Sequence, residues 1–135
     1  MGRSEIRTAI TSLLKGNTSA ELNVYANRET SLWESELPAI IIETQSEPAV
    51  PESFPLRRYY RTLQLHIKIK AEATENVDDV LDSLCEEVEE IMINNPGLNG
   101  TALTSVLTDT SIILNSNAEQ EIGEATLTYE VKYIS

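Results

Sequence analysis

The alternation of apolar and polar residues along this chain predicts two helices and about five strands. The clearest helical pattern runs from about Val77 to Asn94, where apolar residues recur every three or four positions. Asn76 suits the capping position before this helix, and Asn95-Pro96-Gly97 predicts its end. The predicted core stripe comprises Val77, Val80, Leu81, Leu84, Cys85, Val88, Ile91 and Met92.

A shorter helix is predicted from about Glu5 to Lys15. Ser4 is the expected cap, and Gly16-Asn17 is the expected stop, since glycine tolerates the left-handed conformation that ends many helices. The apolar residues at helical spacing are Ile6, Ile10, Leu13 and Leu14.

Strand patterns fill much of the remaining chain. From Leu63 to Ala71, apolar side chains alternate strictly with polar ones, which predicts a strand with one buried face. Further strands are predicted at Glu21–Ala26, at Ala39–Ile42 with both faces buried, near Thr104–Asn115 and at Ala125–Ile134. The order predicts a single α+β domain over residues 1–135, with a mostly antiparallel (mixed) sheet of about five strands and two helices packed on one face.

Two stretches show no regular pattern. Asn27 to Glu36 is polar and is predicted to be a connection. Residues 45–56 contain Pro48, Pro51 and Pro55, which we expect to exclude a helix and regular ladder pairing. A mobile loop is therefore predicted at 45–56.

Charge divides the chain into two unequal halves. Residues 1–70 carry nine bases against eight acids, a net of +1, and residues 71–135 carry one base against fourteen acids, a net of −13. The overall net charge of −12 disfavours nonspecific binding to nucleic acid, because the phosphates would be repelled. The split predicts two electrically different surfaces, suited to contacts with copies of the chain or with partners.

Composition predicts a soluble protein, with 41% apolar and 24% charged residues. No apolar run approaches the roughly 20 residues that span a bilayer, and the first residues do not resemble a secretory signal. The single cysteine, Cys85, cannot form an internal disulfide, so we expect a reducing compartment, initially the cytoplasm.

Residues that could support catalysis are few. The five glycines lack the spacing of a phosphate-binding loop, and one histidine with one cysteine cannot assemble a zinc site. Cys85 lies on an apolar helix stripe, where a buried thiol is inert, and His66 lies on a polar strand face. We therefore expect no enzymatic activity, no cofactor and no bound metal.

The exposed face of the second helix is strongly acidic. Asp78, Asp82 and Glu86 follow one another at i, i+4 and i+8, so their carboxylates could attract Mg²⁺ or Ca²⁺. A helical ridge does not wrap a cation, so the pattern favours a solvated surface. This candidate acidic surface comprises Asp78, Asp79, Asp82, Glu86, Glu87, Glu89 and Glu90.

A basic and aromatic cluster precedes the long strand. Because Arg and Tyr are enriched at the centres of protein interfaces, it is a candidate contact surface. Alternatively, its arginines pair with local acids such as Glu43 or Glu52, or they form a patch for nucleic acid, which the acidic remainder disfavours. The cluster comprises Arg57, Arg58, Tyr59, Tyr60 and Arg61.

The order of these segments is similar to that of a known family. An amphipathic helix is followed by Trp33, by the run Leu37-Pro38-Ala39-Ile40-Ile41-Ile42, by the alternating strand from Leu63 to Lys70, by an acidic helix and by the ending Ala125 to Tyr133. In this order and length the chain resembles the tail terminator (minor tail protein U) family of long-tailed phages, like that of phage lambda.

The resemblance implies a structural protein of the virion tail, assembled in the host cytoplasm into a homohexameric ring at the head-proximal end. Such a ring caps the tail tube, stops its polymerisation and presents a surface for the head-completion or connector protein. DNA passes through without specific binding, and no membrane is involved. The loop at 45–56 and the Arg57–Arg61 cluster are candidate contacts with other subunits or with the tube protein. The acidic helix either lines the pore or faces outward.

Other functions remain open at this point. A different phage neck or tail-completion protein, or a component of a tail-like particle encoded by a prophage, would show similar patterns. A small α+β enzyme or ligand-binding domain would instead use the acidic face as a cation site.

Overall fold

The computed structural model describes residues 2–21, 23–26, 37–51, 58–73, 76–116 and 121–135. The helices are α1 (Arg3–Leu14) and α2 (Val77–Asn94), with a short 3₁₀ turn at Leu98–Gly100. The strands are β1 (Val24–Ala26), β2 (Ala39–Ser46), β3 (Ala49–Pro51), β4 (Tyr59–Ala73), β5 (Thr104–Ser116) and β6 (Glu121–Ile134). None of the helices in these ranges is long and apolar enough to cross a membrane.

The strands form one mixed sheet in the order β1-β2-β4-β6-β5, with β3 beside the start of β4. Only β1 and β2 run parallel, and the other pairs are antiparallel. This confirms the predicted α+β class, with β3 as a sixth strand that the sequence patterns did not indicate.

One apolar core joins both helices to one face of the sheet. In β4, Leu63, Leu65, Ile67 and Ile69 are at most 1% exposed, so the predicted alternation is confirmed. The odd-numbered residues of β6 from Ala125 to Tyr133 continue this face and belong to the same cluster. The opposite face carries the even-numbered residues of both strands, most of them half-buried, and neither helix packs on it. At β2 this face buries Ala39 and Ile41.

The first helix buries the predicted stripe but begins earlier than expected. Ile6, Ile10 and Leu14 are fully buried. Ser4 is not the cap, because the helix starts at Arg3 and the backbone N–H of Ile6 already donates to the Gly2 carbonyl at 3.1 Å. The predicted stop is correct: Gly16 has φ +79°, the left-handed region that glycine adopts without steric cost.

The second helix has the predicted bounds, with two local differences. Val80 is 37% exposed and not part of the core, because it lies at the margin of the stripe, which is centred on Leu81, Leu84 and Val88. Asn76 occupies the capping position but has left-handed backbone angles, and its side chain makes no capping hydrogen bond.

The expectation that prolines exclude ladder pairing in the segment 45–56 is wrong for its first part. β2 extends to Ser46, and β3 pairs Ala49, Val50 and Pro51 with Arg61, Tyr60 and Tyr59 of β4. Pro51 is tolerated because β3 has a neighbour on one side only, which leaves the position without an N–H harmless. Residues 52–56 lie outside the described residues, and the mobile loop stays a prediction.

The remaining strand predictions are mostly confirmed. Ala39, Ile40, Ile41 and Ile42 are at most 3% exposed, as expected for a strand buried on both faces. The predicted strand at Glu21–Ala26 is limited to Val24–Ala26. Trp33 and the connection 27–36 lie outside the described residues.

Candidate assembly surfaces

The basic and aromatic cluster lies at the end of the sheet where β4 begins. Arg58 is exposed, and Tyr59 and Tyr60 are 40% and 47% exposed. Arg58 lines a shallow pocket of about 200 Å³ together with Leu103, which is 60% exposed. We call Arg58, Tyr59, Tyr60 and Leu103 the end patch; Arg57 lies outside the described residues.

Arg61 is held by its own chain. Its guanidinium Nη1 donates to Glu47 Oε1 at 3.0 Å, and the Glu47 carboxylate is only 5% exposed. The Tyr133 hydroxyl donates to the other oxygen of Glu47, and Arg3 lies 4.0 Å from the carboxylate. Arg61 therefore ties β4 to the β2–β3 connection through Glu47, whereas Glu43 pairs with Lys68. Glu52, the other expected partner, lies outside the described residues.

The sequence patterns do not indicate Glu47, because it lies beside Pro48 in a segment predicted to be a loop.

The surroundings of Glu47 also raise the pKa of Tyr133 to about 12, mainly through burial and then through the hydrogen bond to Glu47. A buried carboxylate needs such partners, since leaving it unpaired would cost several kcal/mol.

The acidic face of α2 points away from the sheet. Asp78, Asp79, Asp82, Glu86 and Glu90 are exposed, and Glu87 and Glu89 are half-buried. Glu87 accepts hydrogen bonds from the backbone N–H and the hydroxyl of Ser19, at 2.8 and 2.6 Å, which ties α2 to the segment after α1. Within the described ranges, no three His, Cys, Asp or Glu side chains are grouped so as to hold a metal ion.

Two buried groups, the Cys85 thiol of α2 and the Tyr129 hydroxyl of β6, have raised pKa values and stay protonated at neutral pH. Burial raises the pKa of the Cys85 thiol to about 11, and the neighbouring Glu89, Asp82 and Glu86 carboxylates add to the shift. Burial and Glu89 likewise raise the pKa of Tyr129. At neutral pH Cys85 is a thiol inside the core, which is the least nucleophilic form of the side chain.

On the face of the sheet opposite the helices, most described residues of β4 and β6 are polar. Glu43, His66 and Thr128 lie side by side there on β2, β4 and β6. Lys68 Nζ lies 3.1 Å from Glu43 Oε2, which forms an ion pair between neighbouring strands. His66 is a half-buried member of this surface.

The free edge of β5 is the surface that sequence analysis did not anticipate. Among the described residues β5 pairs only with β6, and Val106, Ile112, Ile113 and Leu114 are between 45% and 56% exposed. A long edge strand with exposed aliphatic residues is prone to association, and proteins normally protect it with charges or cover it. Asp109 is the only charged residue of β5, so this edge is suited to being covered.

The charge split of the sequence becomes a split between two sides of the subunit. α1 packs on β1 and β2 at one side of the sheet, and Arg3, Arg7 and Lys15 belong to or directly follow this helix. α2 packs mainly on β4 and β6 and also contacts β5 at the other edge, and α2 and β5 carry seven and one acidic residues and no base. Opposite sides of one subunit therefore differ in charge.

Comparisons with known proteins agree with this architecture. A family model described as phage minor tail protein U matches residues 1–133. A chain from the virion of a native gene transfer agent particle shares the fold, with a TM-score of 0.57 and 9% identity over 93% of each chain. A second solved chain matches 98% of this chain and 97% of its own length at 13% identity, but its TM-score of 0.45 is too low for an inference. No curated protein matches significantly.

Proposed function

We propose that this chain, which belongs to the phage minor tail protein U family, is the tail terminator. Membership makes it a structural protein of a phage tail. In the proposed role, copies of the chain form a ring that caps the tail tube at its head-proximal end. The ring stops polymerisation of the tube protein and provides the surface that joins the head.

The observation that best supports a ring is the pair of unlike sides. A contact between the acidic α2–β5 side of one copy and the more basic α1 side of the next is heterologous, and such contacts generate rings when the rotation closes. The exposed aliphatic residues of β5 add apolar area that a neighbouring subunit would cover. Six copies are what the resemblance to the lambda family implies.

The ends of the subunit suit contacts with other tail components. The end patch combines an arginine, two tyrosines and a leucine. Arginine and tyrosine are enriched among the residues that contribute most to binding at protein interfaces. We assign it to the tail tube or to the head-completion protein. The acidic face of α2 would repel passing DNA wherever it meets the pore, so DNA is expected to pass without specific binding. No enzymatic step is part of this role.

Purified tail tube protein tests the role directly. Tube subunits polymerising in the presence of this chain should stop at a capped end, and electron micrographs should show a ring there. Native mass spectrometry of six copies of 15.0 kDa should give about 90 kDa. Tubes that grow equally long with and without the chain would contradict termination, and a ring found only on head connectors would instead favour another neck protein.

The double substitution Arg58→Glu with Tyr60→Ala tests the end patch. We expect it to leave the subunit folded and the ring intact while reducing capping at least tenfold, a loss typical of one interface hot spot. Capping at the wild-type level would show that the end patch does not contact the tube.

A further inference from the structure

A groove separates the last turns of α2 from the first residues of β5. Met92, Ile93, Val106 and Leu107 form its walls, Tyr129 forms its floor, and its volume is about 360 Å³. Ile93 is 77% exposed and Val106 is 54% exposed. Covering such side chains is favourable because it removes apolar surface from water.

One rim of this groove is negatively charged. Glu89 lines the groove, and α2 carries six further carboxylates. Neither α2 nor β5 contains a lysine or an arginine to offset them. The groove is therefore suited to an apolar segment that is accompanied by positive charge.

The opposite side of the same subunit presents such a segment. β3 consists of Ala49, Val50 and Pro51, all exposed, and Val50 is 62% exposed. Arg3, 58% exposed, lies 4.0 Å from Glu47, a residue two positions before β3 begins. Pro51 has no N–H to donate, so β3 would dock through its side chains and not by extending a ladder.

The two surfaces also lie near the same end of the sheet. β3 pairs with Tyr59–Arg61 of β4, and the groove lies level with Leu63–Leu65 through β6. The offset is about four residues along the strands, or about 13 Å. A contact between them would be heterologous, and such a contact builds a ring when its rotation closes without a net rise.

We propose that the α2–β5 groove of one copy receives the β3 edge of a neighbouring copy of this chain, with Val50 in the groove and Arg3 facing Glu89. The proposal rests on the ring-forming function and names the contact that builds the ring. A second copy is the chosen occupant because the chain itself carries a segment that matches the groove in polarity, charge and level.

A charge exchange tests this contact. Glu89→Arg and Arg3→Glu should each reduce the ring fraction at least tenfold in native mass spectrometry, because each places like charges opposite one another. Both substitutions in one chain should restore rings toward the wild-type level. Glu90→Arg is the matched control, since Glu90 is an exposed acid of the same helix that does not line the groove, and it should assemble normally.

Thermal unfolding of each monomer separates misfolding from lost docking. If Arg3→Glu proves unstable through Glu47, Val50→Ser offers the second test and should weaken assembly without altering the fold. Folded single variants that assemble normally, or a folded double variant that does not recover, would overturn the docking contact while leaving ring formation by the wild type intact. A wild-type chain that stays monomeric both alone and on tail tubes would overturn the contact and the proposed function together.

Discussion

At the scale of single residues, Glu47 organises the region where the strands converge. Its carboxylate receives the Tyr133 hydroxyl from β6 and the Arg61 guanidinium from β4, and it lies 4.0 Å from Arg3 of α1. A residue of the β2–β3 connection thus holds three elements far apart in the sequence. Arg61 belongs to the cluster predicted to form an interface, but its guanidinium stabilises the subunit itself through Glu47.

The raised pKa of Tyr133 predicts a loss of stability in alkali. The side chain titrates at its ordinary value of 10.0 when unfolded and at about 12 when folded, so its contribution is complete below pH 10 and lost as the pH rises to about 12. Two pKa units correspond to about 2–3 kcal/mol. In urea unfolding from pH 8 to 12, Tyr133→Phe should show a shallower decline than the wild type, whereas equal slopes would contradict the assignment. Tyr129, whose pKa is also raised, remains in both proteins, so the difference between the two slopes reports Tyr133 alone.

At the scale of elements, Gly123 sets how closely α2 approaches β6. A Cβ at this position would lie 2.5 Å from Leu81 Cδ1, 3.0 Å from Leu114 Cδ2 and 3.3 Å from Val77 Cγ2. Leu81 is fully buried, so its side chain would have to shift within a packed core to admit the new Cβ. The absence of a side chain at position 123 therefore allows this close packing of the helix on the sheet.

Gly123→Ala is accordingly expected to lower the free energy of unfolding by about 1–3 kcal/mol through overpacking. Gly97→Ala is the control, because its Cβ would meet only Ala102 O at 3.6 Å, and it should be neutral or slightly stabilising. Denaturant unfolding measures both. Adding Leu81→Val should recover part of the loss in the Gly123→Ala background; purely additive losses would show that the close contact is not the cause.

The elements also show where sequence patterns succeed and where they fail. The bounds of α2 and the alternation of β4 follow from apolar periodicity, because burial on one face imposes that period. The pairing of β3 was missed because three prolines outweighed local strand propensity. Pro51 is compatible with pairing only at an edge, and whether a strand lies at an edge depends on the topology of the whole sheet.

At the scale of the whole molecule, the net charge of −12 predicts how the chain behaves toward DNA. We expect no measurable binding to a short DNA duplex at about 0.1 M salt, since the phosphates are repelled by most of the surface. Fluorescence anisotropy of labelled DNA measures this. A variant with Asp78→Lys, Asp82→Lys and Glu86→Lys is the positive comparison, and tight binding by the wild type would contradict passive passage through a ring.

Apolar periodicity and composition predict the fold class, both helices, the main strands of the core and the imbalance of charge. These follow from periodicity and composition, which are local properties of the chain. Tertiary structure decided which surfaces remain open, because an edge or a groove exists only once the order of the strands is fixed. In the folded subunit β5 lies at an edge of the sheet and Arg61 pairs with Glu47. The charge split along the chain corresponds there to two sides of the subunit that differ in charge.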